Sequence, residues 1–149
     1  MRMSKIIFLD VDGVLNNENT NAQSPGGYVG VMNSKVKLLS KLVEETNAEV
    51  VISSDWRLIK DADYQYLINK LRYEGYIEIK GETPNLDWSH RGTEIKSYLD
   101  DHPTNAWVVL DDNVFSDFEI VEGHLVLTDP EFGLTEADVE KAKRILGGE

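Results

Sequence analysis

Residues 6–14 read Ile-Ile-Phe-Leu-Asp-Val-Asp-Gly-Val, and this stretch decides the fold class. Its apolar first half is typical of a strand that is buried on both faces, as in a parallel sheet. Asp10 and Asp12 come at the end of that run. In open α/β sheets, ligands bind just beyond the carboxyl ends of the strands, so both aspartates are candidates for a functional site. An aspartate can also start a turn after a strand, but a turn needs only one.

The spacing of Asp10 and Asp12 has an electrostatic consequence. Two carboxylates this close repel each other unless a cation lies between them. The pair therefore predicts a bound metal ion, and one member of the pair could also serve as a nucleophile.

Two later apolar runs also end in polar residues. The run over residues 50–52 leads into the two serines 53–54, and the run over 107–110 leads into the two aspartates 111–112. Stretches with helical spacing lie between these runs, and alternating strands and helices predict a three-layer, Rossmann-like α/β fold. Its central, mostly parallel sheet would carry helices on both faces. The polar strand ends would then meet at one edge of the sheet.

We expect residues 1–149 to form a single domain, with residues 14–30 as a flap-like insertion because they are polar and contain a Pro-Gly-Gly turn. The other intervals hold helices and short loops, so no large cap domain is expected. The sequence also predicts short strands over residues 76–79 and 124–127. Further helices are predicted around residues 64–71 and over 91–99, together with one that is capped by Asn33 or Ser34. A last helix begins at a capping pair of Thr135 and Asp138.

The composition narrows the function further. The chain has 149 residues, no cysteine and a formal net charge of −12. Disulfides and thiolate-metal sites are therefore excluded, and no apolar run is long enough to cross a membrane. These features fit a cytoplasmic protein. The negative charge argues against a broad nucleic-acid surface, although a local patch could still bind a nucleic-acid end.

The acids at the strand ends form a hard, oxygen-only ligand set, which suits Mg²⁺ better than zinc. Because Mg²⁺ usually meets a phosphate in such sites, a phosphorylated substrate is expected. A carboxylate can attack phosphorus, and a second acid can then protonate the leaving oxygen and later activate water. The phosphoryl oxygens also need donors and positive charge. Ser53 offers a hydroxyl for this purpose, and either Arg91 or Lys96 offers a cation.

Four segments of the chain resemble the motifs of the haloacid dehalogenase (HAD) superfamily. Residues 10–14, Asp-Val-Asp-Gly-Val, look like its first motif, and residues 51–53 resemble the second, in which a hydroxyl residue ends a strand. Arg91 resembles the basic third motif, where lysine is more usual. Residues 108–112 resemble the fourth motif, an acid pair after a strand. The resemblance implies a phosphatase with an aspartate nucleophile.

By this resemblance, Asp10 is the nucleophile and a metal ligand, and Asp12 is the general acid/base whose backbone carbonyl also meets the metal. The acid pair completes the metal site, with Asp112 favoured as the direct ligand and Asp111 as its support. Arg91 is preferred over Lys96 as the basic residue. The residues expected to contact the substrate are Gly13, Ser53, Ser54, Arg57 and Arg91.

The resemblance extends to a small, uncapped HAD branch found in Swiss Army Knife RNA-repair proteins. It is carried by residues 53–57, 83–84, 91–95 and 133–135. This branch implies a phosphorylated nucleic-acid end as the substrate, and a nucleotide or another small phosphoester is the alternative. Two other functional classes stay open: a receiver-like domain that accepts a phosphoryl group without hydrolysing it, and a HAD fold that only binds a partner.

Some residues near the motifs have two interpretations. Trp56 could contact substrate or pack at the start of a helix, and residues 88–90 could line the mouth of the site. Asp117 could join the metal ligands or belong to a surface loop. His102 and His124 are far from every motif in sequence and are interpreted as structural.

Overall fold

The computed structural model describes residues 4–58, 61–86 and 91–147, in which five strands form one parallel sheet of order β3-β2-β1-β4-β5. The strands are β1 (Lys5–Leu9), β2 (Glu49–Ile52), β3 (Ile79–Glu82), β4 (Ala106–Asp111) and β5 (Leu125–Leu127). The helices are α1 (Asn33–Thr46), α2 (Ala62–Gly75), α3 (Arg91–Asp101) and α4 (Glu136–Gly147), and two 3₁₀ turns cover Asp55–Leu58 and Phe118–Val121.

The central strand β1 is paired with a parallel neighbour on each side, which explains its unbroken apolar sequence. Ile7 pairs with Val50 of β2 and Val108 of β4, and all three side chains are buried. Alternate residues of β1 point to opposite faces of the sheet, so both faces need a cover.

Helices cover both faces of the sheet. One hydrophobic cluster joins Ile7 and Leu9 to the buried residues of α1, α2 and α4. A second cluster, on the other face, joins Phe8 to Ile95 and Tyr98 of α3. The three-layer α/β fold that the sequence predicts is confirmed, and no interval between the strands of the described residues holds a large cap.

Several element boundaries differ from the sequence predictions. β3 begins at Ile79 and not at Tyr76, because Tyr76 takes the left-handed conformation (φ 54°) and caps α2 through its N–H. The residue that precedes α1 is Met32, and it makes no side-chain cap, so neither Asn33 nor Ser34 acts as the predicted cap. The capping pair before α4 is confirmed, since Thr135 and Asp138 exchange hydrogen bonds of 3.0 and 3.2 Å.

The predicted insertion contains a short hairpin in which Gln23 pairs with Val29. It is fastened to α2, because Asp63 accepts a hydrogen bond of 2.7 Å from the N–H of Gly26. The hydroxyl of Tyr66 accepts a second bond, of 3.1 Å, from the N–H of Val31. Among the described helices, none combines the length and the apolar character needed to cross a membrane.

Candidate active site

The polar strand ends lie together at one edge of the sheet. The N–H of Asp10 bonds to the carbonyl of Leu110 at 3.0 Å, and the N–H of Ser53 bonds to the carbonyl of Leu9 at 2.9 Å. These bonds continue the parallel ladders past the last residues of the strands. The ends of β1, β2 and β4 are therefore neighbours, as the sequence predicts.

Three carboxylates form the centre of this edge. Asp10, Asp111 and Asp112 each offer an oxygen, and the three oxygens lie within 4.8 Å of one another. Asp10 and Asp111 are buried, and Asp112 is half-buried. A compact set of carboxylate oxygens suits a hard divalent cation, so these residues fit a site for such an ion.

Arg91, the first residue of α3, is the cation that the structure places against this cluster. Its Nη1 lies 2.8 Å from Oδ2 of Asp111 and 3.4 Å from Oδ1 of Asp10. Its guanidinium also lies over the ring of Phe115, 4.5 Å from the centroid. Lys96 is exposed on the same helix and pairs with Asp100 at 3.4 Å. The basic residue at the cluster is therefore Arg91 and not Lys96.

Burial dominates the electrostatics of the cluster. It raises the pKa of Asp10 well above its usual range, and the charge of Asp111 adds to this effect, while Arg91 opposes it. Burial also raises the pKa of Asp111, again against the influence of Arg91. The single positive charge of Arg91 does not neutralise the negative charge of three ionised carboxylates. A bound divalent cation would add positive charge and favour the ionised forms of these carboxylates.

Asp12 has a different environment from Asp10, although only one residue separates them. Its side chain is exposed. Its Oδ1 accepts a hydrogen bond of 3.0 Å from Nδ2 of Asn16, and its Oδ2 accepts one of 3.2 Å from Nε1 of Trp56. Distinct environments allow two neighbouring carboxylates to take distinct chemical roles.

Gly13 brings the loop after β1 against the acid pair. Its φ is +80°, and a Cβ built on it would lie 2.2 Å from Oδ2 of Asp112. Its N–H donates to Oδ1 of Asn16 at 2.8 Å, and its carbonyl accepts from the hydroxyl of Thr128 at 2.7 Å. Because its N–H is engaged within the protein, Gly13 shapes the loop here and offers no free donor to a substrate. Asn16 and Thr128 were not identified from the sequence.

The two serines after β2 differ in what their hydroxyls do. Ser53 is fully buried, and no described residue forms a hydrogen bond with its Oγ. The Oγ of Ser54 instead accepts a bond of 3.1 Å from the N–H of Trp56. A buried hydroxyl without a partner is unusual, and it leaves Ser53 with an unused donor beside the cluster.

The family model that describes the HAD domain in Swiss Army Knife RNA repair proteins matches residues 6–139. The chain belongs to this family. The match extends over the five strands except for Lys5 at the start of β1. Membership of the HAD family suggests a phosphohydrolase-type function, and this family generally uses a divalent metal. A comparison with individually curated proteins gave no match.

The guanidinium of Arg57 in this HAD domain is engaged within the protein and offers no free donor to a substrate, in contrast to the expectation from the sequence. Its side chain is 2% exposed, and all five of its N–H donors are engaged. It bonds Oε1 of Glu94 at 2.9 Å and four backbone carbonyls at 2.9–3.3 Å: those of Ser53, Ser54, Thr83 and Pro84. Arg57 therefore joins the ends of β2 and β3 to α3, and its role in the HAD domain is structural.

Asp117 caps the helix that carries Arg91. Its carboxylate accepts hydrogen bonds from the N–H groups of Gly92 and Thr93, at 3.0 and 2.8 Å. Burial alone would raise the pKa of Asp117, but these N–H donors and the Thr93 hydroxyl outweigh it and lower the pKa. Asp117 lies in the turn before Phe118–Val121, which agrees with the loop interpretation, and among the described residues its carboxylate positions α3 and is not part of the aspartate cluster.

Both of the histidines considered in the sequence analysis stack on aromatic rings. His102 stacks on Tyr98 with centroids 4.0 Å apart, and His124 stacks on Trp107 at 3.7 Å, which supports their structural interpretation. Residues 88–90, which by the sequence could line the mouth of the site, lie outside the described residues.

Proposed function

We propose that this HAD domain is a Mg²⁺-dependent phosphomonoester hydrolase that acts through an aspartyl-phosphate on Asp10. The observation that carries the proposal is the cluster of Asp10, Asp111 and Asp112 beside the guanidinium of Arg91. Mg²⁺ would be held by Asp10, Asp112 and the backbone carbonyl of Asp12. When bound, it would neutralise phosphoryl charge and keep the carboxylates ionised.

Asp112 is the better candidate for a direct ligand than Asp111. The carboxylate of Asp111 is fully buried, pairs with Arg91 at 2.8 Å and accepts a bond of 3.1 Å from the N–H of Asn113. These contacts make Asp111 a support for Arg91 and the cluster. Asp112 is half-buried and lies against Gly13.

In the first step, a carboxylate oxygen of Asp10 attacks phosphorus and the bond to the leaving oxygen breaks, while Asp12 gives that oxygen a proton. In the second step, Asp12 takes a proton from water, which attacks the same phosphorus and releases phosphate. Asp10 is then a free carboxylate again. Arg91 and the hydroxyl of Ser53 would stabilise the charge on the phosphoryl oxygens in both steps.

For the substrate, we propose a phosphorylated nucleic-acid end or a nucleotide. Support comes from the family, whose description refers to RNA repair proteins. The net charge of −12 favours recognition of the end alone and not of a long backbone. We also propose a cytoplasmic location, since a chain without cysteine suits a reducing compartment.

A phosphatase screen tests the proposal. Wild type, Asp10→Asn and Asp12→Asn are assayed for phosphate release from nucleotides, sugar phosphates and oligonucleotides phosphorylated at the 3′ or 5′ end, with Mg²⁺ or a chelator. We expect loss of turnover in Asp10→Asn and a decrease of about 10²–10⁴-fold in Asp12→Asn. Asp100→Asn, an exposed aspartate on α3, is the matched control and should keep full activity.

Each contrary result has a distinct meaning. Full activity of Asp10→Asn contradicts the nucleophile, and activity that survives chelation contradicts the metal. Stoichiometric phosphorylation of the wild type without phosphate release would favour the receiver-like alternative.

A further inference from the structure

The carboxylate of Asp12 is held on both of its oxygens by residues from two different loops. Nε1 of Trp56 donates to Oδ2 at 3.2 Å, and Nδ2 of Asn16 donates to Oδ1 at 3.0 Å. Trp56 belongs to the 3₁₀ turn that follows β2, whereas Asn16 follows β1. Both donors are buried, although Asp12 itself is exposed.

Asn16 can donate a hydrogen bond to Asp12 in only one orientation of its side-chain amide. Its Oδ1 accepts the N–H of Gly13 at 2.8 Å, so its Nδ2 must face the acceptors. That nitrogen bonds both Asp12 and the carbonyl of Gly30, the latter at 2.9 Å. The network therefore fixes the orientation of the amide and links the base of the hairpin to Asp12.

Trp56 is fixed just as firmly. Its backbone N–H bonds to the Oγ of Ser54 at 3.1 Å, and the next residue, Arg57, bonds the carbonyls of Ser53 and Ser54. Trp56 is 4% exposed and belongs to the main hydrophobic cluster. The ring therefore presents its single N–H from a position set by the core.

We propose that Trp56, together with Asn16, is a positioning residue that orients Asp12 for proton transfer to the leaving oxygen. The inference rests on the proposed function. An exposed carboxylate otherwise turns freely about its last side-chain bond, and two N–H donors on opposite oxygens stop that rotation. The lone pairs that remain are thereby presented in one direction, and general acid catalysis depends on such alignment.

The role has a kinetic signature, because only a poor leaving group needs the proton. 4-Nitrophenolate leaves without protonation, whereas an alkoxide does not. The ratio kcat/KM reports on the steps up to and including transfer of the phosphoryl group to Asp10. The later step, in which Asp12 acts as a base, therefore does not affect kcat/KM. Weakened positioning should therefore lower kcat/KM for benzyl phosphate selectively.

The experiment compares Trp56→Phe with Trp107→Phe on benzyl phosphate and 4-nitrophenyl phosphate. Trp107 is the matched control, since it stacks on His124 and lies on β4 away from the site. We expect Trp56→Phe to lower kcat/KM about tenfold for benzyl phosphate, the effect of one lost hydrogen bond to a charged group, and to change it less than about twofold for 4-nitrophenyl phosphate. Trp107→Phe should keep the wild-type ratio between the two substrates.

A second variant and a second measurement distinguish the positioning role of Trp56 from a folding defect. Asn16→Ala removes the donor to Asp12 without introducing a charge beside it, and it should show the same selectivity. In the absence of substrate, the indole N–H resonance of Trp56 should move in Asp12→Ala, while that of Trp107 stays in place.

Equal losses on both substrates, or a Trp56 resonance that Asp12→Ala leaves unmoved, would contradict the inference while the proposed function stands. A wild type that releases phosphate from neither substrate, nor from any compound of the phosphatase screen, would contradict the proposed function itself. In that case an altered Trp56 resonance would show the contact alone, and the positioning role would be wrong.

Discussion

Asp112 occupies the space that a side chain on Gly13 would need, since a Cβ at that position would lie 2.2 Å from its Oδ2. The two residues are 99 positions apart in the chain, yet they form one wall of the carboxylate cluster. Gly13 also has a φ of +80°, a conformation that side chains disfavour. Two separate constraints therefore require glycine here: the backbone conformation and the contact with Asp112.

The first prediction separates these constraints. Gly13→Ala should lose about 1–2 kcal/mol of unfolding free energy from the left-handed backbone and should also bind Mg²⁺ more weakly, because Asp112 is displaced. Gly27→Ala is the matched control: its φ is +87°, but no atom lies within 4 Å of its added Cβ. Calorimetric titration with Mg²⁺ and urea unfolding measure the two effects. Equal Mg²⁺ affinity in both variants would contradict the role of the Gly13–Asp112 contact.

The second prediction concerns the basic residue. Arg91→Gln should lower the rate of phosphate release by about 10²-fold or more, because it removes the charge that faces Asp10 and Asp111. Lys96→Gln, on the same helix, should stay within about twofold of wild type, since Lys96 pairs only with exposed Asp100 among the described residues. Steady-state assays of both variants decide the matter. A larger loss in Lys96→Gln would show that the basic residue had been misidentified.

The convergence of Asp10, Ser53 and Asp111 could be predicted from sequence for a simple physical reason. Each follows an apolar run of strand length, and parallel strands end at the same edge of a sheet. The choice of Asp111 as support and Asp112 as ligand came from the resemblance, and the burial of Asp111 against Arg91 agrees with it.

What the sequence did not reveal depends on contacts between distant residues. The sequence places Arg57 among the residues expected to contact the substrate, but its partner Glu94, 37 positions away, makes its burial possible. Thr128 supports the carbonyl of Gly13 from 115 positions away. Asn16 is close in sequence to Asp12, yet a single Asn in a polar loop carries no pattern that distinguishes it from its neighbours.

The third prediction tests the structural role of Arg57. Glu94→Ala removes the carboxylate that faces this buried guanidinium, so it should lower the unfolding free energy by about 3–5 kcal/mol. Glu78→Ala breaks the exposed pair with Arg72 and should change stability little. Urea unfolding of both variants, followed by circular dichroism, gives the comparison. Similar stability of the two variants would contradict the structural assignment of Arg57.

The fourth prediction follows from the lowered pKa of Asp117. A carboxyl whose pKa is lower in the folded state than its value of 3.8 in the unfolded chain stabilises the fold above that value, and the contribution is lost as pH falls through the folded pKa. Asp117→Asn should therefore be less stable than wild type by about 1 kcal/mol, because the amide lacks the charge and one of the two acceptor oxygens, and by the same amount at pH 7 and pH 5. Below pH 3.8 the difference should shrink.

Unfolding by urea at a series of pH values measures this difference, and Asp100→Asn, at the other end of α3, serves as the control. Subtracting the variant from the wild type removes the titration of all other carboxyls that the two proteins share. A difference that already declined between pH 7 and pH 5 would mean that another group titrates with the cap. No difference at any pH would mean that Asp117 does not stabilise α3, and the position of Arg91 would then depend on its ion pairs with Asp10 and Asp111.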